Sequence, residues 1–463
     1  MNFPGRRSFT LTPAMTALTL ALAPAGASAG AHAQEIVDLP GEDRLLEVET
    51  EEVFTGQLNA NGWRTLGLAT RFLRRIRRSS DTSEGLLASQ GARIGFDAQG
   101  RLYILDPGGL DRGRWRIFVV DPEGDLVRDY EAGGGDPEAA MYSARPAEFV
   151  VASDGGTVVA DLLGSVFRSY SPVGAPKREV SFTPGDLFEG SVAPGRSSRT
   201  TEAMLAVRDT AGERVIEQVS LAGATIVRRP LASVWRASQE DVDAVAGIGF
   251  TMLMSRDTAD AGSDMQFRPS VMPIQLYVPK LSYDALADGG VAFVDSSAYA
   301  VKLIGPDGEL SRILRRPLRP RPVTDEVRSA QIERLRENAE ARVRGYRNLT
   351  DPDEFRRQLL EAIEGAYFYP EIPAIRNLRT TWEGSLWVRR SGEEHGEGGG
   401  PIDVLAPDGR YRGTFDSEDL GDLGRYLSSG TVAFGPDGLV AYVERGWQES
   451  FYMVVRRLPE EVR

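Results

Sequence analysis

Residues 146–161 read "PAEFVVASDGGTVVAD", two short apolar runs held apart by Asp154, Gly155 and Gly156 and closed by an aspartate. Apolar runs on both sides of an aspartate-glycine pair specify two antiparallel strands joined by a tight turn. The glycine belongs there because such a turn needs positive φ, which a residue without Cβ adopts at least cost. The stretch is therefore one hairpin, and a lone hairpin is marginal in water. Its neighbours must come from the rest of the chain.

The pattern of strand, glycine turn and β-branched or aromatic strand recurs. "IGFDAQGRLYILD" at 94–106, "FVVASDGGTVVAD" at 149–161, "YDALADGGVAFVD" at 283–295, "NLRTTWEGSLWVR" at 377–389 and "VAFGPDGLVAYVE" at 432–444 are five copies. Four of them lead into a second hairpin: "IFVVDPEGDLVRDY" at 117–130, "FRSYSPVGAPKREVSF" at 167–182, "AVKLIGPDGELSRIL" at 300–314 and "IDVLAPDGRYRGTF" at 402–415. In most of these, proline presets φ for the early turn position and glycine takes the later one. Two consecutive hairpins make a four-stranded antiparallel unit.

Between the second and third copies, residues 201–231 alternate more weakly but carry glycine turns at Gly212 and Gly223, a degenerate sixth unit. Repeated four-stranded units with regular turns specify an all-β fold, a six-bladed β-propeller. The last unit has only one strand, "SFYMVVRRL" at 450–458, after its leading hairpin, and so lacks an outermost strand. An unassigned strand-like run near the N-terminus, "RLLEVETEEVFTGQL" at 44–58, is predicted to fill that place and close the ring.

Two stretches exceed what blades need. At about 324–365 the sequence predicts a helical hairpin, with Thr324 as a cap, Asp325 and Glu326 at the positive end of the helix dipole, and Ile332, Leu335, Ala339 and Val343 as an apolar stripe. Asp351, Pro352 and Glu354 open a second helix whose buried face is Phe355, Leu359, Leu360 and Ile363. At about 232–272 a short helix and a polar loop are expected, with Asp257, Asp260 and Asp264 as a solvated acidic loop that lacks calcium-loop spacing.

Residues 1–33 read as an export signal, with Arg6 and Arg7, an apolar run at 14–23 and the small-residue site "AHA" at 31–33. Cleavage is expected after Ala33, leaving one propeller domain over 34–463. The apolar run falls short of the roughly 20 residues that a membrane-spanning helix needs, so no transmembrane anchor is expected. "GRRSFTL" at 5–11 is similar to the twin-arginine export motif, with general secretion as the other route.

The 463-residue chain has no cysteine, which excludes disulfides and thiolate metal sites. A formal net charge of −13 argues against a nucleic-acid partner, which would select a basic face. Lys177, Lys280 and Lys302 are the only lysines; the arginine excess reads as coding bias. Of two histidines, His32 leaves with the signal and His395 sits in a glycine-rich loop, so a histidine triad or zinc site is not expected. The glycine runs at 133–135 and 398–400 open no helix with a lysine and cradle no phosphate. Trp447, beside Arg445, reads as a core aromatic.

"PAEFVVASDGGTVVAD", with "FRSYSP" after it and "AGGGDPEAAMYSA" before it, resembles the blades of NHL-type and TolB-like six-bladed propellers. The resemblance covers about residues 90–460, interrupted by the two insertions, and implies architecture rather than activity. Aspartates end the second strand at Asp106, Asp161 and Asp295, with Arg389 and Glu444 in the same place in the later copies. Their recurrence reads as a clasp, each accepting backbone N–H bonds from the loop that follows. Some six-bladed relatives, the gluconolactonase-like lactonases, hold a calcium-type cation on the channel axis; no residue here is assignable to that role.

The sequence therefore points to an exported bacterial binding scaffold, periplasmic or secreted and monomeric, that engages a protein or glycan through rim loops and the helical insertion. No catalytic, cofactor or metal residue is assigned and no cofactor is expected. The competing reading is a calcium-type hydrolase or lactonase with its site on the propeller axis.

Overall fold

A computed structural model describes residues 35–59, 62–66, 93–106, 115–133, 146–161, 166–181, 203–210, 213–222, 225–235, 274–345, 351–392, 400–420, 423, 427, 432–445 and 451–463. Among them, six antiparallel sheets follow one another as the blades of a propeller. Blade I is Arg93–Phe96, Leu102–Asp106, Arg116–Val120 and Leu126–Glu131; blade II is Pro146–Val151, Thr157–Asp161, Val166–Tyr170 and Pro176–Ser181. Blade III is Ala203–Thr210, Glu213–Ala222 and Thr225–Val234; blade IV is Ser282–Ala285, Val291–Val294, Ala300–Ile304 and Leu310–Arg315. Blade V is Ile375–Thr380, Leu386–Arg390, Ile402–Leu405 and Tyr411–Phe415, and blade VI opens with Val432–Phe434, Leu439–Arg445 and Phe451–Arg457.

The hairpins form for the reason their turns imply. Gly155 adopts φ +90°, and the equivalent Gly289 φ +88°. The alternating side chains then give each sheet two faces to bury, and each face packs on the next blade. Tyr103 and Ile117 meet Phe149 and Val159 between blades I and II. Val158 and Phe167 meet Ala206 and Val219 between II and III, and Leu205 and Ile216 meet Tyr283 and Phe293 between III and IV. Val301 packs with Leu378 between IV and V, Trp387 with Phe434 and Tyr442 between V and VI, and Ala441 with Phe96 and Ile104 between VI and I. Six interfaces for six blades mean that the ring is closed.

Closure uses the N-terminal run, as expected, and goes further. Glu51–Asn59 pairs antiparallel with Phe451–Arg457, and Gly62–Thr65 adds a fifth strand outside it. Upstream, Glu35–Asp38 lies parallel to Leu310–Arg315 on the outer edge of blade IV. Leu45 bridges to Thr414 on the outer edge of blade V. The Trp63 indole N–H then donates to the Gly124 carbonyl of blade I at 3.0 Å. Residues 35–65 thus form a strap that covers three sheet edges and reaches the fourth blade.

Blade III departs from the four-stranded expectation, with three strands among the described residues. Its edge strand carries Arg228, Arg229 and Pro230, residue types that blunt an open edge. The helix expected within 232–272 and the acidic loop Asp257, Asp260 and Asp264 fall outside the described residues apart from 232–235.

The helical insertion forms as its capping pattern predicts: α1 is Asp325–Gly345 and α2 is Pro352–Glu364. The Asp351 carboxylate accepts the Glu354 N–H at 2.9 Å, satisfying one of the orphan donors of the first turn. Ala339, Val343, Phe355, Leu359 and Ile363 bury one another with Ile332 and Leu335, so the two helices share a core of their own. No helix among the described residues is long and apolar enough to cross a membrane.

Candidate functional site

The strand-ending acids come first, because the repeat singles them out. Asp295 is 2% exposed. Both its oxygens accept from the Lys302 ammonium, at 2.8 and 2.9 Å, and one also accepts the Trp235 N–H at 2.9 Å. It therefore ties blade IV to the end of blade III, whereas the sequence pattern pointed to the loop that follows. Glu444 is buried and Asp106 half-buried. The Asp161 side chain, His395 and Trp447 lie outside what the structure describes.

Other buried acids are spent inside the blades in the same way. Asp97 accepts from the Gln99 and Arg101 N–H groups and from the Arg101 guanidinium. The Glu217 carboxylate is shared by Arg208 and Arg228, and that of Asp284 accepts the Thr380 N–H across the blade IV–V interface at 2.8 Å. No group of three or more His, Cys, Asp or Glu side chains among the described residues is close enough to hold a metal ion.

Blade V breaks the pattern. Aligned turn to turn, the repeat starts with Ile94, Phe149, Tyr283 and Val432 in blades I, II, IV and VI, but with Asn377 in blade V. Two residues on, Phe96, Val151, Ala285 and Phe434 give way to Arg379, and the strand-ending acids give way to Arg389. These three substitutions meet in space. Arg389 is the cross-strand partner of Asn377, and Asn377 and Arg379, two apart on one strand, share a face.

All three line a small cleft, with room for about one water molecule, at the blade V–VI boundary, walled by Trp387, Ile402 and Leu427. Asn377 acts as a strut. Its amide donates to the Leu427 carbonyl at 2.9 Å, and its oxygen accepts from the Ser282 hydroxyl of blade IV at 2.8 Å. Arg379 instead has a buried Nε with no hydrogen-bond partner among the described residues.

Further positive charge gathers beside the cleft. The ladder slips between Ile375 and Asn377, so Arg376 is a bulged residue, and a bulge re-aims the side chain it carries. Burial and then the charge of Arg376 pull the Arg389 guanidinium below its ordinary value, with Asp416 opposing. Burial and then Arg334 of α1 do the same to Arg376, with Tyr277 opposing. Tyr277 itself has φ +63°, a conformation that costs a non-glycine residue roughly 1–3 kcal/mol and concentrates at functional positions. Its ring lies 6.1 Å from that of Phe368, which also receives the Arg328 guanidinium at 5.2 Å. Cationic and aromatic side chains thus gather where the helical insertion approaches blade V, with Phe368 buried among them.

Fold and site define a six-bladed β-propeller with a specialised fifth blade. No family model and no curated protein matches the chain. Among solved structures it is similar to a member of the DUF4221 family from Bacteroides vulgatus, at 9% identity and TM-score 0.44, covering 90% of this chain and 99% of that one. It is also similar to a streptogramin B lyase, at 12% identity and TM-score 0.32 with 80% and 94% covered. TolB from Acinetobacter baumannii matches at 11% identity and TM-score 0.34, with 86% and 74% covered. These are likenesses of overall architecture.

The sequence identified Arg389 as a departure but missed Asn377 and Arg379. The signal was available in the same aligned copies, at the first and third positions.

Proposed function

We propose that the protein is an exported binding scaffold, released after Ala33 into the periplasm or the medium, that holds a protein or glycan partner on blade V and the helical insertion. One observation carries this reading: hydrogen-bonding and cationic side chains are concentrated on the one blade whose repeat positions differ, beside an insertion the propeller does not need for closure. Arginine and aromatic side chains together are the residue types that dominate recognition surfaces. Among the described residues, the buried acids Asp295, Asp284 and Glu217, which a metal-dependent hydrolase would draw on, are engaged in ion pairs and hydrogen bonds within and between blades instead.

The test combines three measurements on the full chain expressed in a host with an envelope. N-terminal sequencing of the exported protein gives Gln34 as the first residue. A partner cross-linked to the purified protein, or a glycan bound on an array, is lost when 325–364 are replaced by a short Gly-Ser linker. A tightly held divalent cation accompanied by lactone or ester hydrolysis that chelation abolishes overturns the scaffold reading.

A further inference from the structure

We infer that the strap consists of two units, and that the first, residues 35–46, is an arm that opens from blades IV and V in one piece while the ring stays closed. The inference stands apart from the partner proposed for blade V and the helical insertion.

Burial separates the two units. Residues 54–58 are all buried, and Phe54 and Leu58 belong to the core between blades VI and I. Upstream the picture reverses: among residues 35–47 only Leu39 is buried, and residues 40–45 are all exposed, Leu45 to 81%. A segment with few buried apolar contacts opens locally, whereas a strand inside a core exchanges only with much larger unfolding. Val48, buried in the core between blades V and VI, marks the boundary, and the exposed Glu49 follows it.

What holds the arm is polar and gathered at one point. Glu35–Asp38 makes a short parallel ladder with blade IV, and the Leu39 N–H donates to the Arg315 carbonyl at 2.6 Å. From beneath, the Arg316 guanidinium donates to the Pro40, Gly41 and Glu42 carbonyls at 2.8, 3.3 and 3.1 Å and to the Asp43 carboxylate at 2.9 Å. Arg390 donates to the other Asp43 oxygen at 2.7 Å. Beyond Asp43, the Leu46 N–H donates to the Thr414 carbonyl and the Thr414 N–H to that of Arg44, at 2.8 and 2.7 Å. One guanidinium thus grips four consecutive residues, so these contacts are made and lost together. Water replaces them at a surface that is already wet, which keeps the net cost of each lost bond small.

The blades are shaped to seat the arm. A Cβ on Gly413, in the outer strand of blade V, would lie 2.6 Å from the Leu46 Cγ and 2.7 Å from the Arg44 carbonyl oxygen. Opening uncovers the outer edges of Leu310–Arg315 and Tyr411–Phe415 together with Arg316 and Arg390, and leaves Glu51–Asn59 paired with Phe451–Arg457. The arm is therefore a gate over two strand edges that the ring itself does not use for closure.

The experiment is hydrogen–deuterium exchange of the full exported chain, read by mass spectrometry on overlapping peptides and corrected for intrinsic rates. Residues 35–46 exchange together, at least about tenfold faster than 51–58 and 451–457. Asp43→Asn, which removes the gripped charge, and Gly413→Ala, which pushes on the arm from the blade, each speed exchange of 35–46 a further tenfold or so and leave 51–58 unchanged. In the wild type, exchange of 35–46 and 51–58 at one rate overturns the inference, as does protection that rises steadily from 35 to 46, the mark of simple fraying. Unaltered exchange of the arm in both variants, or equal acceleration of arm and ring strand, overturns it too. The wild-type profile decides without either variant.

Discussion

The Arg316 guanidinium donates to the Asp403 carboxylate at 2.8 Å, and neither side chain has any solvent-exposed surface. Arg316 directly follows the outer strand of blade IV and Asp403 lies in the third strand of blade V, so the pair bolts two blades together. The same guanidinium donates to the Pro40 and Glu42 carbonyls and to Asp43 of the strap, and it lies 4.6 Å from the Tyr411 ring centre. Asp403 in turn accepts from the Thr414 hydroxyl at 2.7 Å.

Removing Asp403 leaves the buried Arg316 guanidinium with only the partly exposed Asp43 as counter-ion, which costs up to about 3–5 kcal/mol. Asp403→Ala is expected to lower the denaturation midpoint by that order. The double change Arg316→Met with Asp403→Leu recovers a large part of it, because replacing a buried pair by apolar side chains is often neutral. Chemical denaturation of the three proteins checks both statements.

Strap docking should depend on acid pH. Burial raises the Asp43 carboxyl, but hydrogen bonds from Arg390 and Arg316 and their charges outweigh it and hold the group below its ordinary value. A depressed folded value contributes stability that is complete above the unfolded value of about 4 and is lost as pH falls through the folded one. Melting temperature followed downward from pH 6 therefore drops more steeply in the wild type than in Asp43→Asn below about pH 4.

Deleting residues 34–60 removes Glu51–Asn59, the fourth strand of blade VI, and uncovers edges on blades IV and V. The truncated chain is expected to melt lower and to aggregate, since exposed strand edges pair with other chains. Light scattering during a thermal ramp reads both effects; unchanged scattering and melting would refute the role given to the strap.

Two turn glycines separate backbone strain from packing. At Gly289, φ is +88° and the nearest atom to an added Cβ is 3.9 Å away, so Gly289→Ala costs only the left-handed conformation, about 1–2 kcal/mol. At Gly155, φ is +90° and the added Cβ runs into the Tyr103 hydroxyl of blade I, with Asp97 Oδ2 at 3.2 Å. Gly155→Ala therefore adds an overpacking cost of about 1–3 kcal/mol. The denaturation midpoint of Gly155→Ala should fall below that of Gly289→Ala.

Much of this architecture is legible from residues near one another in sequence. Gly155 and its counterparts mark the turns, alternation marks the faces, and the missing last strand asks for a partner that 44–58 can supply. What escapes is set by distance along the chain and by side-chain geometry. Nothing in "EIVD" at 35–38 signals a parallel edge, because backbone pairing at an edge demands little of side chains. Arg316, Asp403 and Asp43 share no motif and meet only after three elements fold. Asn377 and Arg379 were visible in the aligned copies, yet a search for what the blades share passes over the blade that differs.

The strap also imposes an order of events. Its strand Glu51–Asn59 is made well before its partner Phe451–Arg457, with blades I to V synthesised between them. Ring closure is thus a contact of very high sequence separation, the kind that slows folding most. Until the C-terminal strand arrives, the early segment has no sheet to join and must stay extended or be held by a chaperone. Synthesis is in effect proofread, since a chain interrupted before Phe451 leaves Glu51–Asn59 without the strand on which it closes.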